Sequence, residues 1–267
     1  VYDKRYYKYE DDDFSITDIP LNENDMHVLS ETVEMLKQFK DFSLFSELGG
    51  IIHRLEDKVH TEQTHEDAII HLDKNENLKG LEHLDFIYQA ILKKKCIDIL
   101  YQSFKATEPT FVSFHPYILK EFNNRWFLVG RKNREERIQT FALDRIVSMT
   151  LNEKIRYTRK KFSGDAYYKN TVGVTVMNDE MIYDVLLKVD RYNAPYVLTK
   201  PFHSSQKIIE KHENGEVTIQ VSVHLNFEFE RLILGFGDSI EVLSPRRLKT
   251  RIKKKLGRAV EIYSKKD

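Results

Sequence analysis

His115, Tyr117, Arg125, Trp126, Arg131, Arg137 and Arg145 fall within one short stretch of the chain. A guanidinium grips phosphate or carboxylate through two parallel hydrogen bonds, and an aromatic face stacks a base. These residue types therefore point to binding of a small anion or a nucleotide-like molecule without chemical conversion. Each has a structural reading as well. Trp126 and Phe127 point to opposite faces of a strand, so one of them belongs to the core. Arg145 follows Asp144 and is placed to pair with a neighbouring carboxylate, while His115, before Pro116 in a short turn, is placed to satisfy local backbone groups. Lys132, Arg134, Glu135, Glu136 and Arg137 suit a solvated hairpin tip.

Catalysis and metal binding find little support. There is no glycine-rich phosphate loop and no His-Glu-x-x-His, and no catalytic residue, cofactor or metal is expected. His53, His60, His65 and His71 straddle the join between helices at irregular spacing, whereas zinc needs three or four converging ligands. Gly235-Phe236-Gly237 follows a helix and lacks a third glycine, so it reads as a turn into a strand. Cys96 is the sole cysteine, which rules out an internal disulfide and fits a reducing cytoplasm. It lies among alternating residues and reads as buried and inert.

Hydrophobic residues at 41% and charged residues at 31% describe an ordinary soluble protein, with neither a signal peptide nor an apolar run long enough to span a membrane. The formal net charge is 0, so any anion binding should be local rather than spread over the surface. The distribution is uneven. Glu10 to Asp13 are acidic, whereas the segment from Lys93 to Arg159 and the helix from Arg246 to Arg258 are rich in Lys and Arg. Val1 stands where a complete product would start with Met, which fits the later part of a longer product and equally a processed N-terminus.

The elements that position these residues follow from periodicity. Met26, Leu29, Val33 and Leu36 recur at helical spacing behind a capping Asn22; Leu48, Ile52, Leu55 and Val59 mark a second helix; Leu81, Leu84, Tyr88, Ile91 and Leu92 mark a third. From Cys96 the period falls to 2, and short apolar stretches at 111–119, 125–130, 137–143 and 145–151 are separated by turn signals at Pro109, Asn123-Asn124 and Lys132-Asn133. Five short strands bury their alternate residues best in a small, strongly bent sheet or barrel. After a linker at 152–170 come a strand at 182–189, a helix near 191–198, strands at 206–212 and 216–223 meeting at Asn214-Gly215, a helix after Asn226 and a strand at 239–243. That order is βαββαβ, the ferredoxin-like arrangement. Pro245 starts a last helix with Leu248, Ile252, Leu256 and Val260 on one face.

The run His115-Pro116-Tyr117, Arg125-Trp126-Phe127-Leu128 and Thr140-Phe141-Ala142-Leu143-Asp144-Arg145-Ile146 resembles the core of the WYL domain, a small β-barrel that bacterial transcriptional regulators use as a sensor. Tyr7-Lys8-Tyr9, Phe14-Ser15-Ile16 and Pro20-Leu21 with the following helix resemble the segment that those regulators place before it. The C-terminal part, through Leu234-Gly235-Phe236-Gly237 and Val242-Leu243-Ser244-Pro245, is similar to their WCX extension. The resemblance implies an α+β protein in four parts. A helical linker or dimerisation region covers 1–92 and an SH3- or Sm-like WYL barrel 93–151; the linker at 152–170 then leads to a ferredoxin-like WCX domain with its terminal helix over 171–267.

It also implies the sensing and assembly portion of a regulator, a cytoplasmic homodimer that binds an anionic or nucleotide-like effector, single-stranded DNA in some members. His115, Tyr117, Trp126 and the arginines at 125, 131, 137 and 145 are the residues available for it. The chain departs from the family pattern at Phe127, which lacks the usual tyrosine hydroxyl, and at Gln139, where many members have Arg. Glu31, Glu34, Glu56 and Asp57 make the early helices unfit for a duplex, so duplex DNA is expected to be read only by an upstream winged helix-turn-helix. The competing expectation is a protein-interaction and dimerisation module without a ligand, joined through the helix at 245–262.

Overall fold

The computed structural model describes residues 2–3, 6–7, 78–177 and 181–264. The chain divides into two compact units, Val1–Asn77 and Leu78–Asp267. In the first unit the described part is an antiparallel pair, β1 (Tyr2–Asp3) and β2 (Tyr6–Tyr7), with Tyr2 opposite Tyr7. The first two expected helices, their acidic residues Glu31, Glu34, Glu56 and Asp57, and the four histidines at 53, 60, 65 and 71 lie outside the described residues.

The second unit starts with a 3-10 turn (Leu81–His83) and helix α1 (Leu84–Leu92), which buries Leu84, Ile87 and Ala90 at the helical spacing seen in the sequence. Helix α1 packs on strand β4 of a five-stranded antiparallel sheet. Its strands are β3 (Cys96–Tyr101), β4 (Thr110–Phe122), β5 (Arg125–Lys132), β6 (Ile138–Ala142) and β7 (Ile146–Asn152), in the order β6-β5-β4-β3-β7. Asn123 and Asn124, at φ 50° and 59°, form the tight turn between β4 and β5, where the twist of a two-residue hairpin requires positive φ.

The edge strands β6 and β7 follow one another in the chain, joined by the 3-10 turn Leu143–Arg145. A flat five-stranded sheet is about 19 Å across, whereas the 4 residue steps from Ala142 to Ile146 reach at most about 14 Å. The sheet must therefore curl, and it does. Tyr101 of β3 and Phe141 of β6 are three strands apart in the sheet, yet their ring centroids are 4.7 Å apart across the hollow; Phe114 meets Phe141 at 5.1 Å. The closed barrel expected from the sequence does not form, because among the described residues β6 and β7 make no ladder with each other. The short turn bends the sheet enough to bury Ile97, Ile99, Phe114, Leu128 and Phe141 without sealing it.

After helix α2 (Gly164–Tyr168) the chain builds β8 (Tyr183–Val189), α3 (Ala194–Thr199), β9 (Lys207–Lys211), β10 (Val217–Val223), α4 (Phe227–Leu234), β11 (Ile240–Ser244) and α5 (Arg246–Ser264). The four-stranded antiparallel sheet has the order β11-β8-β10-β9. Val185, Leu187 and Val189 of β8 alternate with less buried neighbours and face Val221, Ile219 and Val217 of β10 in register, with Val223 opposite Tyr183. Helix α4 covers this face with Phe229 and Ile233, and the first half of α5 with Leu248 and Ile252. Each such side chain contributes about 1.5–3 kcal/mol by leaving water. The expected helix follows Asn226, which caps α4 by accepting from the Phe229 N–H at 2.9 Å.

Candidate functional site

The run His115-Pro116-Tyr117 is not a turn. It lies inside the 13-residue strand β4 and makes a β-bulge there. His115 sits opposite Arg131 and Pro116 opposite Gly130; Tyr117 is the extra residue, and pairing resumes with Ile118 opposite Val129. Proline has no N–H to offer a ladder and is tolerated where the ladder breaks. Gly130 is required on the other strand, since a Cβ there would lie 2.1 Å from the His115 carbonyl oxygen and 2.6 Å from the Phe114 ring. The close approach and the bulge together turn His115, Tyr117 and Arg131 toward one another.

Arg131 is only 8% exposed. Its Nε donates to the Tyr117 hydroxyl at 3.3 Å, Nη1 to the Glu135 carbonyl at 2.8 Å, and Nη2 to Thr158 Oγ1. All of these acceptors are uncharged. Among the described residues no carboxylate pairs with this guanidinium, although a buried charge is ordinarily held by an opposite one. The arrangement is a fixed cation in a half-dry setting with neutral company.

The segment read as a linker supplies the other half of the site. Thr158 donates its backbone N–H to His115 Nδ1 at 3.2 Å, accepts from the Tyr117 hydroxyl on its carbonyl at 3.3 Å, and accepts from Arg131 on its own hydroxyl. Tyr157 donates to the Pro116 carbonyl at 2.9 Å. The Tyr117 ring is flanked by Phe162 at 5.4 Å, with the Arg159 guanidinium over it at 5.6 Å. Residues 157–162 thus form a strap over the bulge. Sequence reasoning missed Thr158 and Tyr157; Thr158 acts partly through its backbone, which leaves no residue-type signal.

Because Nδ1 of His115 accepts an N–H, the ring carries its proton on Nε2 and is neutral. Burial holds its pKa below the ordinary value, the Arg131 charge adds to this, and a hydrogen bond with Asn133 opposes it. Cys96, 1% exposed, places its sulfur 3.1 Å from His115 Nδ1. Burial and then the Asp98 charge push its thiol up, against the pull of Arg131. Such a thiol is protonated and unreactive.

The remaining sequence candidates do not join this cluster. Arg125, at the far end of β5, lies about 20 Å from Arg131 by strand rise. Its Nε is 3.4 Å from Asp144 Oδ2, and Arg145 Nε is 3.9 Å from Asp144 Oδ1, a carboxylate only 9% exposed between two cations. Arg145 also covers the Phe104 ring at 4.3 Å. Trp126 is half-buried, opposite Glu121, and alternation puts it on the other face of β5 from Arg131. Phe127 is half-buried too, so neither of this pair is a full core residue. Arg137 is exposed and its charge acts on Tyr167, whose hydroxyl burial pushes up and Arg137 pulls down. Gln139 donates to the Glu135 carboxylate at 2.5 Å.

Residues 82–151 match the WYL domain family and residues 182–260 the WCX domain family. The chain is a WYL-domain protein with a WCX domain after it. No curated protein sequence matches the chain. Among solved structures it is similar to proteasome accessory factor B/C (PafBC) of Arthrobacter aurescens, at 17% identity over 78% of this chain and 30% of that one, TM-score 0.29. It is also similar to a CRISPR Cas-related protein, at 13% identity over 70% of this chain and 52% of that one, TM-score 0.44. The chain thus spans about a third and about half of these two. Within the residues matched by the WYL family, the bulge brings the buried His115, Tyr117 and Arg131 together, and the strap that covers them follows directly after the match. No helix among the described residues is long and apolar enough to cross a membrane, and none of their His, Cys, Asp and Glu side chains form a metal-holding group.

Proposed function

We propose that this WYL–WCX chain is the ligand-sensing portion of a transcriptional regulator, and that the WYL sheet takes an anionic or nucleotide-like effector on Arg131, beside His115 and Tyr117. The observation that carries this reading is the Arg131 guanidinium, 8% exposed and hydrogen-bonded to neutral acceptors alone among the described residues. An incoming phosphate or carboxylate supplies the missing counter-charge, and a buried cation is worth more to it than a solvated one. The neutral His115 and the protonated Cys96 serve this cluster as hydrogen-bonding and packing groups, so the reading is of a binder and not of a catalyst. The strand orders support taking the WYL sheet as SH3- or Sm-like though open, and the WCX sheet as ferredoxin-like. Duplex recognition belongs, on this reading, to a winged helix-turn-helix elsewhere in the regulator. Titration with labelled single-stranded oligonucleotides and cyclic nucleotides at two salt concentrations tests it, since phosphate contacts must weaken as salt rises. Absence of binding at low salt would reject it.

One observation favours a second reading, a homodimer joined through α5. The helix buries Leu248 and Ile252 and is tied down by Arg251 and Lys255, at 2.9 and 2.7 Å from the buried Glu230 carboxylate. Beyond that clasp Leu256, Val260 and Tyr263 are 38, 64 and 78% exposed at helical spacing. Light scattering separates a dimer from a monomer.

A further inference from the structure

Resting on the Arg131 reading, we propose that Thr158 is an internal competitor for the anion site. An oxyanion then reaches Arg131 and Tyr117 by displacing the strap, and this displacement carries occupancy to the WCX domain.

Thr158 is bonded to all three residues of the cluster at once. Two of its oxygens, the hydroxyl and the carbonyl, accept from Arg131 and Tyr117. That is the pattern two oxygens of one phosphate or carboxylate would make. The donors are therefore occupied by a neutral imitation of the ligand. Open pockets of ≈ 460 Å³ beside Arg191 and Lys211 and of ≈ 480 Å³ beside Lys120 and Lys169 do not have Arg131 in their lining. The space in front of Arg131 is held by the strap.

The strap is built to leave. Thr158, Arg159, Lys160 and Lys161 are exposed, and lifting them with the half-buried Tyr157 and Phe162 opens the Tyr117 ring, otherwise 1% exposed, to an incoming ligand. Their basic side chains, with Arg156, stay close to an incoming polyanion and offset part of the lost contacts. The far end is fixed. Ser163 caps α2 by accepting from the Ala166 N–H at 3.4 Å; the Asn170 carbonyl accepts from the His224 N–H at 2.9 Å; and the Val172 carbonyl accepts from Asn226 Nδ2 at 2.7 Å. His224 and Asn226 belong to the WCX core, so a strap freed at Thr158 pulls on that domain through a short, pinned connection.

The test compares the whole chain with Thr158→Val, which keeps the side-chain shape and removes the acceptor, and Thr158→Ser, which keeps the acceptor. Inorganic phosphate and a short single-stranded oligothymidylate are the probes, read by calorimetry. Thr158→Val is expected to bind about tenfold more tightly than wild type, because its closed state leaves an Arg131 donor unpaired, and Thr158→Ser to bind as wild type does. In wild type, phosphate should speed amide exchange at Thr158 and tryptic cleavage at Lys160 and Lys161. Equal affinity in all three proteins, or a strap whose exchange ignores phosphate, overturns the competitor and leaves the Arg131 site standing. No anion binding by any of the three overturns the site itself.

Discussion

His115 and Arg131 face each other in direct register across β4 and β5, a neutral imidazole beside a permanent cation. The pairing is sustained because Thr158 gives His115 an N–H donor and gives Arg131 an oxygen acceptor. Protonating the ring would replace that donor contact by a clash of two N–H groups, and would set two positive charges side by side.

Stability should therefore depend on pH through His115. Its folded pKa lies below the ordinary 6.5, by burial first and the Arg131 charge second. Below the unfolded value the unfolded chain binds a proton that the folded one refuses, so the contribution is present above about pH 6.5 and is lost as pH falls. Burial depresses His203 in the same direction. Urea unfolding from about pH 7.5 to about pH 5.5 should show a falling midpoint. His115→Asn should flatten the slope and leave the share of His203. A wild-type midpoint that stays level over this range would contradict the assignment.

Gly130→Ala should be far more damaging than an ordinary strand substitution. The added methyl would meet the His115 carbonyl oxygen at 2.1 Å, and backbone has little freedom to yield. A loss of about 3 kcal/mol in chemical denaturation is expected, with loss of anion binding as the bulge shifts. A change under about 0.5 kcal/mol would mean that the strands relax and that the bulge does not depend on this glycine.

Arg125→Gln should leave anion affinity within about twofold. Arg125 is already neutralised by Asp144, far along β5 from Arg131, and faces solvent at 46% exposure. The same titrations used for the binding site read this out, and a tenfold loss would show that the anion spans both ends of β5.

The sequence makes much of this legible. Helical and strand periodicity place α1, the five strands, the capped α4 and the turn at Asn214-Gly215, because each records which face meets a core. Residue type brings forward His115, Tyr117 and Arg131, and also Arg125, Arg137 and Arg145. Type alone cannot say that Asp144 sits between Arg125 and Arg145, nor that strand alternation turns Trp126 away from Arg131. The bulge is hidden because it depends on the pairing of β4 with β5, a non-local fact, and Pro116 reads as a turn in isolation. Thr158 is invisible for a related reason: its backbone supplies two of its contacts. The barrel expected from five short strands stays open because, among the described residues, β6 and β7 are joined by a three-residue turn but form no ladder with each other.

The central claim is that Arg131 is the anchor of an anion site on the WYL sheet. Its most direct test is the binding of a short single-stranded oligonucleotide to wild type and to Arg131→Met, at low and at moderate salt, with folding checked by circular dichroism. The account predicts wild-type binding that weakens as salt rises, and a loss of at least about tenfold in Arg131→Met at low salt, as expected for a charge-assisted contact. Folded Arg131→Met that binds as tightly as wild type, with the same salt dependence, would contradict it.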